Sequence, residues 1–66
     1  MKNRVRELRK NKNLTQEELA SLIDISRQAI NAIEKEKFDP SLPTAFKMSK
    51  LFGIAIEELF FFEGSK

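Results

Sequence analysis

The 66-residue sequence contains no cysteine and no histidine. Without cysteine no disulfide can staple the fold and no thiolate can hold a metal. Without histidine the commonest metal ligand and the commonest general base at neutral pH are both missing. No base, activated nucleophile or metal site is left, so an enzyme is not expected, and neither a cofactor nor a small-molecule ligand is implied. Runs of 18 or more apolar residues are also lacking, and the basic first residues precede no apolar stretch. A membrane span and a signal peptide are thereby disfavoured, and a cytoplasmic protein is expected. There is no internal repeat, low-complexity tract or linker, so residues 1–66 read as one domain. A domain this short buries only about 60% of the surface its unfolded chain exposes. Marginal stability, or help from a second copy, follows.

Charge of either sign is not in large excess. The net charge of +2 points only weakly to a polyanionic partner. Its distribution says more. Residues 1–37 carry nine Lys/Arg against six Asp/Glu, whereas residues 38–66 carry three against four. A phosphate backbone, if one is bound, belongs to the amino-terminal part.

What is present is helical punctuation. Val5 and Leu8 sit at i, i+3 among basic residues, which suits a short amphipathic helix within residues 3–12. Thr15 followed by Glu18 is a capping box, with Leu14 and Leu19 placed as a hydrophobic staple, so a second helix starts there. Leu19, Ala20, Leu22 and Ile23 form its expected buried side. After a short turn, Ser26 is the next N-cap. A third helix then runs from Arg27 to about Lys35, burying Ile30 and Ile33 and leaving Arg27, Gln28 and Asn31 outward. Ser41 caps a fourth helix with Pro43 in its first turn, and Gly53 sits where a left-handed residue ends it. Ile54 to Phe60 reads as one or two further helical turns. The fold class is all-α.

Two helices joined by a tight turn form a helix-turn-helix, whose second helix can enter the major groove of DNA. That role needs a small residue where the helices touch, apolar support behind the second helix, and hydrogen-bond donors in front. Ala20 meets the first need, Ile25, Ile30 and Ile33 the second, and Arg27, Gln28 and Asn31 the third. On an arbitrary helix those three polar residues would be an ordinary solvated face. Here the register of the supporting residues favours a binding face.

The segments LTQEELA, ISRQAIN, IEK and PSL, with a Gly-Ile and an EELF pattern near the end, resemble the Cro/cI-type (XRE) helix-turn-helix family over roughly residues 4–60. The resemblance implies a five-helix Cro/cI repressor-like domain with the helix-turn-helix at residues 16–35, to which a short C-terminal strand is expected to be added. It implies that Arg27 and Gln28 contact bases; Asn31, one turn on, is within reach of a base or a phosphate and is grouped with them as a base contact. Arg suits the O6/N7 edge of guanine and Gln the N6/N7 edge of adenine. Gln16, Lys35, Lys37 and Lys10 are the expected phosphate contacts, which set orientation rather than sequence. Arg9 and Glu34 match a pair that is ion-paired inside the family fold. Two positions depart from the family pattern: Asp24 stands where glycine is usual in the turn, and Ala32 where a longer polar residue is usual.

Phe60, Phe61 and Phe62 are adjacent and cannot share one face. Phe46, Phe61 and Phe62 exceed what so small a core absorbs, and an exposed apolar patch marks a binding surface. A two-fold homodimer is therefore expected, built on the fourth and fifth helices and residues 54–66, with residues 61–65 pairing as antiparallel strands between copies. The resulting expectation is a double-stranded DNA-binding transcriptional regulator, a repressor on a near-palindromic operator. The alternative is an antitoxin-type interaction module that neutralises a protein partner and autoregulates its operon.

Overall fold

Each of the three helices that carry the fold starts where a hydroxyl takes a free N–H. A computed structural model describes residues 1–62. In it, Thr15 caps α2 (Gln16–Ile23), its hydroxyl accepting from the Glu18 N–H at 3.0 Å while the Glu18 carboxylate accepts from the Thr15 N–H at 2.8 Å. Ser26 caps α3 (Arg27–Glu34) through the Ala29 N–H at 3.0 Å, and Ser41 caps α4 (Leu42–Phe52) through the Thr44 N–H at 3.3 Å. Each such cap is worth about 1 kcal/mol. Before them lies α1 (Val5–Asn11), shorter than the expected 3–12, and after them α5 (Ile56–Leu59), a single turn.

Every helix from α1 to α4 ends on a left-handed residue, and only one of these is glycine. Asn13 (φ 59°), Asp24 (φ 61°), Glu36 (φ 63°) and Gly53 (φ 71°) hold these positions. In each case the next N–H reaches back to a carbonyl of the last turn: Leu14 to Arg9, Ile25 to Ala20, Lys37 to Ala32 and Ile54 to Ser49, at 2.9–3.2 Å. This arrangement satisfies the free carbonyls of a helix end. Asp24 thus adopts the conformation that glycine usually fills, and the turn between α2 and α3 keeps its geometry. A side chain in this region costs roughly 1–2 kcal/mol, against about 0.5–1 kcal/mol of extra unfolded-state freedom for glycine. Glu36, without the local tolerance of Asn or Asp, is where the exchange gains most. Glu36→Gly is expected to raise stability by about 0.5–1 kcal/mol in urea denaturation, and Asn13→Gly by less; equal or reversed effects would contradict this reading.

The helices close around Val5, Leu19, Ala20, Ile23, Ile30, Ile33, Ala45, Met48, Leu59 and Phe60, with Leu8, Ile25, Leu51, Phe52, Ile54 and Ile56 packed against them. α2 and α3 pack most closely on each other, α4 lies against α2, and α1 against α3. The Lys47 ammonium donates to the Ile23 carbonyl at 3.5 Å, fastening α4 to the end of α2. Leu22, expected inside, is 60% exposed. α2 buries Leu19, Ala20 and Ile23 and packs on α3 and α4, and Leu22 lies off that buried side.

The strand is a pair within one chain. Lys2–Asn3 (β1) runs antiparallel to Phe60–Phe61 (β2), with Lys2 opposite Phe61 and Asn3 opposite Phe60. The Asn3 amide donates to the Ile33 carbonyl at 2.9 Å, and its oxygen accepts from the Val5 N–H at 3.0 Å. The Met1 ammonium pairs with Asp39 at 3.1 Å. The first residues therefore lock the end of α3 to the aromatic segment. The backbone of Phe61 is paired inside the chain with Lys2; of residues 61–65, expected to pair between copies, residues 63–65 lie outside the described residues. Among the described residues no helix is long and apolar enough to cross a membrane.

Candidate nucleic-acid interface

The side of α3 opposite the core carries Arg27 and Gln28, both exposed, and Asn31, half-buried. Ile30 and Ile33 on the inner side are fully buried, so the helix is fixed from behind and its polar side chains are aimed outward. Among the described residues, the side chains of Arg27 and Gln28 make no hydrogen bond or ion pair with the rest of the chain. Their donors are free. Gln16, Arg27, Gln28 and Asn31 together line a cleft of about 280 Å³ between the start of α2 and the face of α3.

Beneath this cleft lies a chain of polar contacts that joins three helices. The Arg9 guanidinium on α1 grips the Glu34 carboxylate through Nε at 2.6 Å and a second nitrogen at 3.2 Å. Its remaining nitrogen donates to the Leu14 carbonyl at 2.8 Å. The two side chains are 10% and 4% exposed, so this is a buried ion pair, as the resemblance implied. Glu34 accepts in turn from the Gln16 amide at 3.0 Å, and the same amide nitrogen donates to the Asn31 side-chain oxygen at 3.4 Å. Both N–H groups of Gln16 are thereby used inside the protein, and its side chain has no donor left for a phosphate. Thr15 takes the Glu18 N–H, which leaves the backbone N–H groups of Gln16 and Glu17 at the start of α2 as the donors available there.

The cationic side chains fall into two groups. Lys35 lines a second cleft with Arg6, Arg9, Gln16, Asn31 and Glu34, next to the outward face of α3. Lys10 and Lys37 are exposed but border neither of these clefts. Arg6 is a residue that sequence reasoning passed over. Its spacing of three from Arg9 puts it on the same side of α1 and was the available signal. Arg4 is spoken for: it makes two hydrogen bonds to Glu7, at 3.2 and 3.1 Å, and that hydrogen bonding holds the Glu7 carboxyl below its ordinary range.

Phe46 is 52% exposed, Phe61 40% and Phe62 76%. Beside them Met1, Asp39, Pro40, Leu42, Ala45, Ile56 and Phe60 line a largely apolar hollow of about 280 Å³. Phe38 and Leu42 are also more than half exposed, which extends the apolar surface beyond the residues expected from sequence.

Comparison with known proteins places this arrangement. A Helix-turn-helix family model matches residues 5–59. An HTH-type transcriptional regulator of Methanocaldococcus jannaschii is 54% identical over 63 residues, with 96% of each chain covered. The HTH-type transcriptional activator BcrR of Enterococcus faecalis is 41% identical over 56 residues, which span 85% of this chain and 28% of that one. Among solved structures, the restriction-modification controller protein C.AhdI from Aeromonas hydrophila superposes with a TM-score of 0.76 at 37% identity, covering 86% of both chains. The chain belongs to the helix-turn-helix family of transcriptional regulators, with the XRE-type, Cro/cI-like fold.

Proposed function

We propose that this regulator binds double-stranded DNA in a sequence-specific manner, with α3 in the major groove, and that it acts as a homodimer on a near-palindromic operator. The observation that carries this reading is the pair of exposed side chains Arg27 and Gln28 on the outward face of α3, unpartnered among the described residues and backed by fully buried Ile30 and Ile33. Arg27 and Gln28 lie in its first turn, the part of a recognition helix that meets base edges. Asn31 follows one turn on. The family match at residues 5–59 and the controller protein among the structural neighbours support it.

Around that face, Lys35, Lys37 and Lys10 hold phosphate, and Arg6 is added to them because it shares a cleft with Lys35. Gln16 contributes through its backbone N–H at the start of α2, where helix polarity favours an anion. Phe46, Phe61 and Phe62 supply the surface on which a second copy packs. Two-fold pairing there gives each recognition helix its own half-site and doubles the number of bases read. Repression follows from occupying DNA that polymerase needs and requires no further residue.

A salt titration tests the phosphate assignment. Each phosphate neutralised contributes about −0.9 to the slope of log affinity against log salt. Lys35→Ala is expected to weaken binding to cognate and random duplexes by the same factor and to make the slope shallower by about 1. A loss confined to the cognate duplex, with the slope unchanged, would remove Lys35 from the phosphate set.

A further inference from the structure

We propose that Gln16 is a positioning residue that fixes which end of the Asn31 amide faces the DNA, so that Asn31 reads acceptor edges of bases rather than adenine. The inference rests on the placement of α3 in the major groove proposed above. It comes from following hydrogen-bond polarity along the chain Arg9, Glu34, Gln16, Asn31.

An amide's oxygen and nitrogen look alike by shape, and its orientation is decided by what its neighbours can donate or accept. Here the decision starts from a group with no freedom. Arg9 is donor-only, and it faces the Glu34 carboxylate, which only accepts. Against that carboxylate Gln16 must present nitrogen, at 3.0 Å. The second N–H on the same nitrogen meets Asn31 at 3.4 Å, so Asn31 must turn its oxygen toward α2. Its nitrogen is thereby directed away from Gln16, and among the described residues it has no partner. A buried ion pair thus sets, through the single intervening side chain of Gln16, the polarity of a residue on the recognition face.

Bidentate recognition of adenine by Asn needs both amide ends: nitrogen to N7 and oxygen to the N6 amino group. With the oxygen held toward Gln16, Asn31 offers donors. Donors match the O6 and N7 of guanine or the O4 of thymine, whereas adenine offers N7 alone beside an N6 amino group that opposes them. Asn31 is therefore a reader of guanine or thymine as long as Gln16 keeps its two contacts.

The test is selection from a random duplex pool with four proteins: the wild type, Asn31→Ala, Gln16→Met and Gln16→Lys. Asn31→Ala identifies the base pair concerned as the one at which preference disappears. At that pair the wild type is expected to prefer guanine or thymine. Gln16→Met, which fills the space without a donor, releases the Asn31 oxygen and should raise adenine relative to guanine by about tenfold, as a new bidentate contact would. Gln16→Lys keeps donors toward Glu34 and Asn31 and should retain the wild-type preference at this pair, whatever it does to overall affinity. A wild type that already prefers adenine there would overturn the proposal. So would a Gln16→Met protein that binds every site more weakly with unchanged preference, or an Asn31→Ala protein that loses preference nowhere. Failure of the wild type to enrich any sequence would instead strike at the DNA-reading assignment itself, and this inference would fall with it.

Discussion

Replacing Glu34 by alanine is expected to remove about 3–5 kcal/mol of folding stability, read from the midpoint of urea denaturation by circular dichroism. The cause is not the loss of an attraction but what is left behind. Arg9 is 10% exposed and keeps only the Leu14 carbonyl as a partner once the carboxylate is gone. Breaking a buried pair from one side costs that much because an uncompensated charge remains inside. A chain of this length has a total stability of only about 3–10 kcal/mol, so the variant should be largely unfolded at the low end of that range. The pair itself is a different matter. Arg9→Met combined with Glu34→Leu replaces both charges with apolar groups of similar length and should recover most of the loss. A Glu34→Ala protein destabilised by less than 1 kcal/mol would show that Arg9 finds solvent, and that the contact between α1 and α3 is looser than its geometry indicates.

Arg27→Ala should do the opposite: leave the fold intact and damage recognition. Its side chain is exposed and unpartnered among the described residues, so stability should change by no more than about 0.5 kcal/mol. On a cognate duplex the loss of one bidentate contact to guanine is expected to cost about 1–3 kcal/mol, with discrimination at one base pair relaxed. On random duplex only the electrostatic share of Arg27 is lost, so the ratio of specific to random affinity should fall. Titration of both duplexes at one salt concentration separates the cases. Equal losses on the two would make Arg27 a phosphate contact and would move base reading to Gln28 and Asn31.

The helix boundaries were legible in the sequence, and the contacts that join the helices were not. Thr15, Ser26, Ser41 and Gly53 announced the helix boundaries because caps are local chemistry between residues one to five apart. The Arg9–Glu34 pair was reachable only through resemblance, since nothing in 25 residues of separation tells a salt bridge from two surface charges. Leu22 misled because hydrophobicity gives a helix an apolar side but not the width of the neighbour that covers it. The pairing of Lys2–Asn3 with Phe60–Phe61 had no signal, two residues being too few for periodicity. Gln16 is the most instructive case. Its residue type fits a phosphate contact, and only its neighbours reveal that both amide hydrogens are already taken.

Selection of binding sites from a random duplex pool, carried out on the unmodified protein at a fixed salt concentration, tests the central claim most directly. Sequence-specific reading by a symmetric pair of recognition helices predicts enrichment of an inverted repeat. Its half-site centres should lie about one helical turn, roughly 34 Å, apart. A pool that stays random after repeated rounds, while bulk DNA is still retained, would contradict it, and the outward face of α3 would then be a general phosphate-binding surface with no base-reading role.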